Sequence, residues 1–89
     1  MKSVTTSRFR KAFEKLPKRT QIKARDNYRL WQENPNHPSL NFKQIHSSQP
    51  IHSVRVGIGY RALGVKQDQT MVWFWIGSHE EYNTIIDSL

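Results

Sequence analysis

Apolar positions recur along this chain with two different periods, and the change from one to the other divides it into a helical first part and a stranded second part. Phe9, Ala12, Phe13 and Leu16 fall at i, i+3, i+4 and i+7, the spacing of one helical face. Val4-Thr5-Thr6 ahead of them is β-prone, and Thr6 or Ser7 is placed to cap the helix start. Pro17 brings no N–H to a helical ladder, so it ends this helix and fits the first turn of another. A second helix is predicted over roughly 18–33, with Ala24, Tyr28 and Trp31 on one side, stopping at Asn34-Pro35-Asn36-His37-Pro38. The two helices are expected to run antiparallel about a tight turn.

Beyond the proline-flanked loop the period becomes two. Leu40, Phe42 and Gln44 alternate as in a strand, Ser47-Ser48-Gln49-Pro50 turns the chain, and Val54, Val56 and Ile58 alternate with Ser53, Arg55 and Gly57. A further strand runs from Tyr60 to Val65 after a Gly57/Gly59 break, and Gln67-Asp68-Gln69 turns the chain again. Val72 to Ile76 is apolar on both faces, as in a strand covered on two sides. Gly77-Ser78 closes it, and His79 to Leu89 forms a short last helix with Tyr82, Ile85, Ile86 and Leu89 on one side. The expected fold is a single α+β domain over 1–89: an antiparallel sheet of about four strands, two N-terminal helices packed on it and a short C-terminal helix.

The length, 89 residues, suits one modest core and leaves no room for a second domain. No Cys is present, so no disulfide or thiolate site is available, and a cytoplasmic location is expected. No run approaches the roughly 18 apolar residues of a membrane span, and Met1 to Arg10 lacks the apolar segment of a secretory signal. The net charge of +7 favours polyanionic partners, and its distribution sharpens the point. Ten Lys and Arg against two acidic residues lie within the first 29, whereas the rest of the chain carries four basic and five acidic residues. Lys11, Lys15, Lys18 and Arg19 belong to that basic third and are candidates for contact with nucleic-acid phosphates, against the alternative of a solvated helical face.

Five pieces of the sequence, in order along nearly the whole chain, carry a resemblance. They are Phe9 to Leu16-Pro17, Asn34-Pro35-x-x-Pro38-Ser39-Leu40-x-Phe42-Lys43, Ser53-Val54-Arg55-Val56-Gly57, Tyr60-Arg61-Ala62-Leu63 and Trp75-Ile76-Gly77-Ser78-His79-x-x-Tyr82. Together they resemble the RelE/ParE superfamily of toxins. The resemblance implies an antitoxin that masks a basic groove. It also implies one of two activities, metal-free cleavage of messenger RNA at the ribosome or, in the ParE branch, poisoning of DNA gyrase. The absence of Lys or Arg from the last eleven residues, which hold Glu80, Glu81 and Asp87, departs from the RelE pattern of a basic C-terminal helix.

Metal-free RNA cleavage needs activation of a 2′-hydroxyl, positive charge on the phosphorane and a proton for the departing 5′-oxygen. Arg61 stands where the resemblance places a phosphate-binding arginine, and a guanidinium can hold two phosphate oxygens at once. Arg55 on the preceding strand can join it across a hairpin, or be held in a salt bridge. His79, just past a strand end, is the candidate general acid, since imidazole exchanges protons near neutrality. The competing reading is a His that caps the last helix. Lys43 matches the family's lysine-bearing segment and is a candidate to stabilise the phosphorane or activate the 2′-hydroxyl. His46 is a candidate base or RNA contact, with a plain strand-end role as the alternative. Tyr82 either stacks on a nucleotide or packs in the core.

His37 and His52 lack zinc-ligand spacing, there is no HExxH pair, and Gly57-x-Gly59 precedes no helix, so neither a metal nor a cofactor is expected. Trp31, Trp73 and Trp75 suit a core or an antitoxin-facing surface better than a base platform. Two classes of function therefore stand: an endoribonuclease acting on ribosome-bound messenger RNA, and a non-enzymatic binder, either a gyrase poison or a degenerate toxin kept as a binding module.

Overall fold

The computed structural model describes residues 2–89. The chain runs β1 (Lys2–Thr5), α1 (Ser7–Glu14), α2 (Lys18–Glu33), a 3-10 turn (Pro38–Leu40), β2 (Lys43–Gln44), β3 (Ile51–Val56), β4 (Tyr60–Gln67), β5 (Thr70–Ser78) and α3 (His79–Asp87). The α+β class holds. The sheet has five strands in the order β1-β5-β4-β3-β2, and it is mixed, because β1 lies parallel to β5 at one edge while β2 to β5 form an antiparallel meander. No helix among the described residues is long and apolar enough to cross a membrane.

The Thr6 side chain accepts the Phe9 N–H at 3.1 Å and caps α1, as its position in the sequence implies. Three residues separate α1 from α2, and Gln21 of α2 secures the join by donating to the carbonyls of Phe13, Glu14 and Leu16 that α1 leaves open. Pro17 is the N-cap of α2 and not a residue of its first turn. Ala24 and Trp31 are the buried side of α2, and the Trp31 ring meets Trp73 edge-on at 5.2 Å and Phe42 at 5.8 Å.

Alternation along the strands divides the interior in two. Val54, Val56, Ala62, Trp73 and Ile76 face α1 and α2 and join Leu16, Ala24 and Trp31, whereas Ile51, Leu63 and Trp75 form a second cluster with Tyr82 of α3. The helices thus cover both faces of the sheet, which is why β5 is apolar on both sides. The register of β5 slips between Leu63 and Gly64, and this bulge lets Trp73 and Trp75 enter opposite clusters.

Three expectations are corrected. Leu40 is not in a strand: it is fully buried at the end of the 3-10 turn, and the left-handed Asn41 (φ 46°) re-aims the chain so that only Lys43–Gln44 pair with β3. Ile58 does not continue β3. It sits at the tip of the β3–β4 hairpin with its side chain fully exposed, after Gly57 takes a φ of +61° that an L side chain rarely adopts. Leu89 lies beyond the end of α3 and is exposed.

Gly77 has a packing role. A Cβ there would lie 2.4 Å from Cζ2 of Trp75, whose ring folds across the glycine. Gly77→Ala is expected to destabilise the chain by about 1–3 kcal/mol, the usual cost of overfilling a packed site. A urea melt that returns the wild-type midpoint would show that Trp75 repacks freely.

Candidate functional site

The pleat decides which charged residues meet. Val54 and Val56 point toward α1 and α2, so Ser53 and Arg55 between and before them point to the α3 face. Ala62 likewise sends Arg61 and Leu63 to that face. Arg55 and Arg61 are direct cross-strand partners, and Lys43 is paired with Ser53, two residues from Arg55. Phe42 packs against Trp31 on the other side, which leaves Lys43 on the α3 face with the two arginines. Three neighbouring strands therefore present Lys43, Arg55 and Arg61 on one side of the sheet.

α3 supplies the fourth member. Ser78 caps this helix, accepting from the Glu81 N–H while the Glu81 carboxylate accepts from the Ser78 N–H, a reciprocal capping box. Capping therefore falls to Ser78 and not to His79. The His79 N–H donates to the Gly59 carbonyl at 2.8 Å, fastening the start of α3 to the β3–β4 tip. Its imidazole is left exposed, and Nδ1 accepts a hydrogen bond from Nε of Arg61 at 3.3 Å. The Tyr82 ring lies beneath both: it stacks on His79 with centroids 5.8 Å apart, and the Arg61 guanidinium sits 5.4 Å from its centroid.

This arrangement is electrostatically unbalanced. The one ion pair among the described residues is Arg29–Asp26, so neither Arg55 nor Arg61 has the carboxylate partner that a structural salt bridge would require. Like charges directly opposite on adjacent strands are destabilising. Nη1 of Arg61 is buried with no hydrogen-bond partner, and so is Oγ of Ser53 on the same face. An anion with several oxygens is the ligand chemistry that such a surface suits. A concrete consequence is that Arg55→Thr should stabilise the chain slightly, by a few tenths of a kcal/mol at roughly 10 mM salt. The gain should vanish in about 1 M salt, where screening shortens to ~3 Å. A loss of stability at low salt would mean that Arg55 has a structural partner.

The remaining sequence candidates scatter. Nδ1 of His46 accepts N–H groups from Ser48 and Gln49 at 3.2 and 3.1 Å, so this side chain holds the β2–β3 turn, and no contact links it to Arg61 or His79. Tyr82 is only 6% exposed and supports the Arg61–His79 pair from within the second cluster. Lys11 and Lys15 line a hollow beside α1, while Lys18 and Arg19 are exposed at the start of α2 and do not line it. The sequence pattern missed Ser53, a fully buried polar residue beneath the charged face, because its place in an alternating strand looks like that of any solvent-facing serine.

The same architecture recurs in known structures. The RelB–RelE antitoxin–toxin complex of Methanococcus jannaschii matches with a TM-score of 0.74 at 14% identity, covering 92% of this chain and 96% of that one. YafQ of Escherichia coli matches at 0.72 with 15% identity over 90% and 94%. The RelBE2 toxin–antitoxin complex of Mycobacterium tuberculosis matches at 0.70 with 21% identity over 88% and 96%. Among curated protein sequences none matches. At these identities the likeness establishes the fold. The family itself follows from the sequence model of the ParE-like toxin domain, which matches residues 18–84 and so spans α2 to β5 and most of α3, and on that match the chain belongs to the ParE-like toxin domain family.

Proposed function

We propose that this chain is the toxin of a toxin–antitoxin pair and acts as a metal-independent endoribonuclease on ribosome-bound messenger RNA. The observation that carries the reading is that three neighbouring strands present Lys43, Arg55 and Arg61 on one sheet face, that Arg61 is hydrogen-bonded to His79, and that none of the three cations forms an ion pair among the described residues. In the reaction, the 2′-hydroxyl attacks the adjacent phosphorus, a new P–O2′ bond forms and the P–O5′ bond breaks. The products are a 2′,3′-cyclic phosphate and a 5′-hydroxyl. Arg61 and Arg55 hold the nonbridging oxygens, where charge accumulates in the phosphorane. Lys43 stabilises the developing 2′-alkoxide, whose proton leaves to water.

His79 serves the leaving group. In the resting chain its Nδ1 accepts from Nε of Arg61, which orients the ring. A phosphate that draws the guanidinium to itself frees Nδ1 to take a proton, and the resulting imidazolium donates from Nε2 to the 5′-oxygen. Tyr82 keeps the ring in place by stacking beneath it.

An antitoxin is the second partner proposed. Structures similar in fold are toxin–antitoxin complexes. The net charge of +7 favours an acidic partner. An apolar cavity of about 570 Å³ between the two N-terminal helices and the sheet, with Arg25 and Arg29 among its lining residues, suits an amphipathic acidic segment. Expression of the chain in cells tests the reading as a whole. Growth arrest with fragmented transcripts, relieved by co-expression of the neighbouring gene, is the expected result. Growth arrest with intact transcripts and a DNA-damage response would move the target to gyrase, and no arrest would leave a binding module.

A further inference from the structure

A second hollow, of about 620 Å³, opens beside β5 between α1 and the start of α3. Ser7, Arg8 and Lys11 of α1 and Lys15 at its C-terminal cap line one side, and Tyr60, Trp75 and Ser78 another. We propose that this hollow is a nucleotide subsite for single-stranded RNA, taking the residue next to the cleaved phosphate. The inference rests on the ribonuclease reading of the adjacent face and adds where the substrate strand goes.

Three observations support it. First, Arg8, Lys11 and Lys15 are spaced i, i+3 and i+7, so they share one face of α1 and aim three cations at one place. None of the three forms an ion pair or a side-chain hydrogen bond among the described residues. The lone carboxylate in the lining, Glu81, already accepts from the N–H and Oγ–H of Ser78. Second, Ala12, Leu16, Pro17, Trp75 and Ile76 contribute an apolar wall. A cationic rim over an apolar, partly aromatic wall suits a backbone phosphate together with its base, and the volume is within the ordinary range for small-ligand sites. Third, the hollow adjoins the catalytic face. Tyr60 and Ser78 are cross-strand partners in its lining, and their immediate successors in the chain are Arg61 and His79. Gly77, also in the lining, is the cross-strand partner of Arg61, and Trp75 and Glu81 bring the lining round to the α3 side, so the hollow borders the place where Arg61 meets His79.

The test is the salt dependence of binding, followed by fluorescence anisotropy with a labelled single-stranded 2′-O-methyl oligoribonucleotide, which lacks the attacking hydroxyl. Wild type is compared with the triple variant Arg8→Gln/Lys11→Gln/Lys15→Gln and with a charge-matched variant, Lys2→Gln/Lys23→Gln/Lys66→Gln, whose residues are exposed and lie outside the hollow. Each phosphate neutralised on a single strand contributes about 0.7 to the slope of log affinity against log salt, so the hollow variant, which gives up one backbone phosphate, should lose about 0.7 from that slope. Its affinity at low salt should fall on the order of 10- to 100-fold, with the charge-matched variant close to wild type. Equal losses in the two variants, or an unchanged slope in the first, would overturn the subsite. So would loss of antitoxin binding alone, which would make the hollow a protein-docking surface. Wild-type chain that binds with the full slope but cuts no RNA would keep the subsite and sink the nuclease.

Discussion

Arg61→Ala should lower the rate of RNA cleavage on the order of 10²- to 10³-fold while the chain stays folded, the effect usual for removing one preorganised group that stabilises transition-state charge. The fold should tolerate the change because Nη1 of Arg61 is buried without a partner, and removing it relieves that cost. What is lost is the contact with the Tyr82 ring and the hydrogen bond to His79, both at the edge of the second cluster. The unfolding midpoint should therefore correspond to a change within about 1 kcal/mol. Arg61→Lys should recover little activity, since an ammonium cannot grip two phosphate oxygens in one plane. Full activity in Arg61→Lys would reduce the guanidinium to a simple positive charge.

His79→Ala should cost about 10²- to 10⁴-fold, the range for a positioned general acid. The more informative substitution is His79→Gln. Its side-chain oxygen can accept the Arg61 Nε–H as Nδ1 of His79 does, but it has no proton to give. If His79 is the acid, both variants are equally impaired. Substrates with a better leaving group at the 5′-oxygen should then rescue both. If His79 merely positions Arg61, Gln restores most of the activity and the leaving group makes no difference.

The sequence made the face legible in part, for a physical reason. Side-chain period along a strand is local information, so the alternation around Arg55 and Arg61 shows that neither belongs with Val54, Val56 or Ala62. The hairpin that joins them is short enough to fix their register, and the glycines at 57 and 59 mark its tip. The helical stripe of Phe9, Ala12, Phe13 and Leu16 packs against the first cluster for the same reason.

Elsewhere local pattern was insufficient. The parallel seat of β1 against β5 joins residues nearly seventy positions apart, and nothing in Lys2–Thr5 specifies it. Leu40 and Phe42 keep a strand-like spacing, but one left-handed residue, Asn41, separates a 3-10 turn from a two-residue strand. His46 has the same composition-level credentials as His79. Only the turn around it, which occupies Nδ1, shows that it is committed to structure. The antitoxin-facing reading of the tryptophans gives way to a core role, since Trp31, Trp73 and Trp75 are all buried.

Transesterification of RNA on one uncompensated cationic face, with His79 at its border, is the proposed chemistry. Mapping the ends left on a translated message by purified chain in a reconstituted translation mixture tests it most directly. Discrete cuts with 2′,3′-cyclic phosphate on the upstream fragment and 5′-hydroxyl on the downstream one are predicted, and Arg61→Ala and His79→Gln should leave the message whole. The same cuts persisting in both variants, or 5′-phosphate ends from the wild type, would contradict the account.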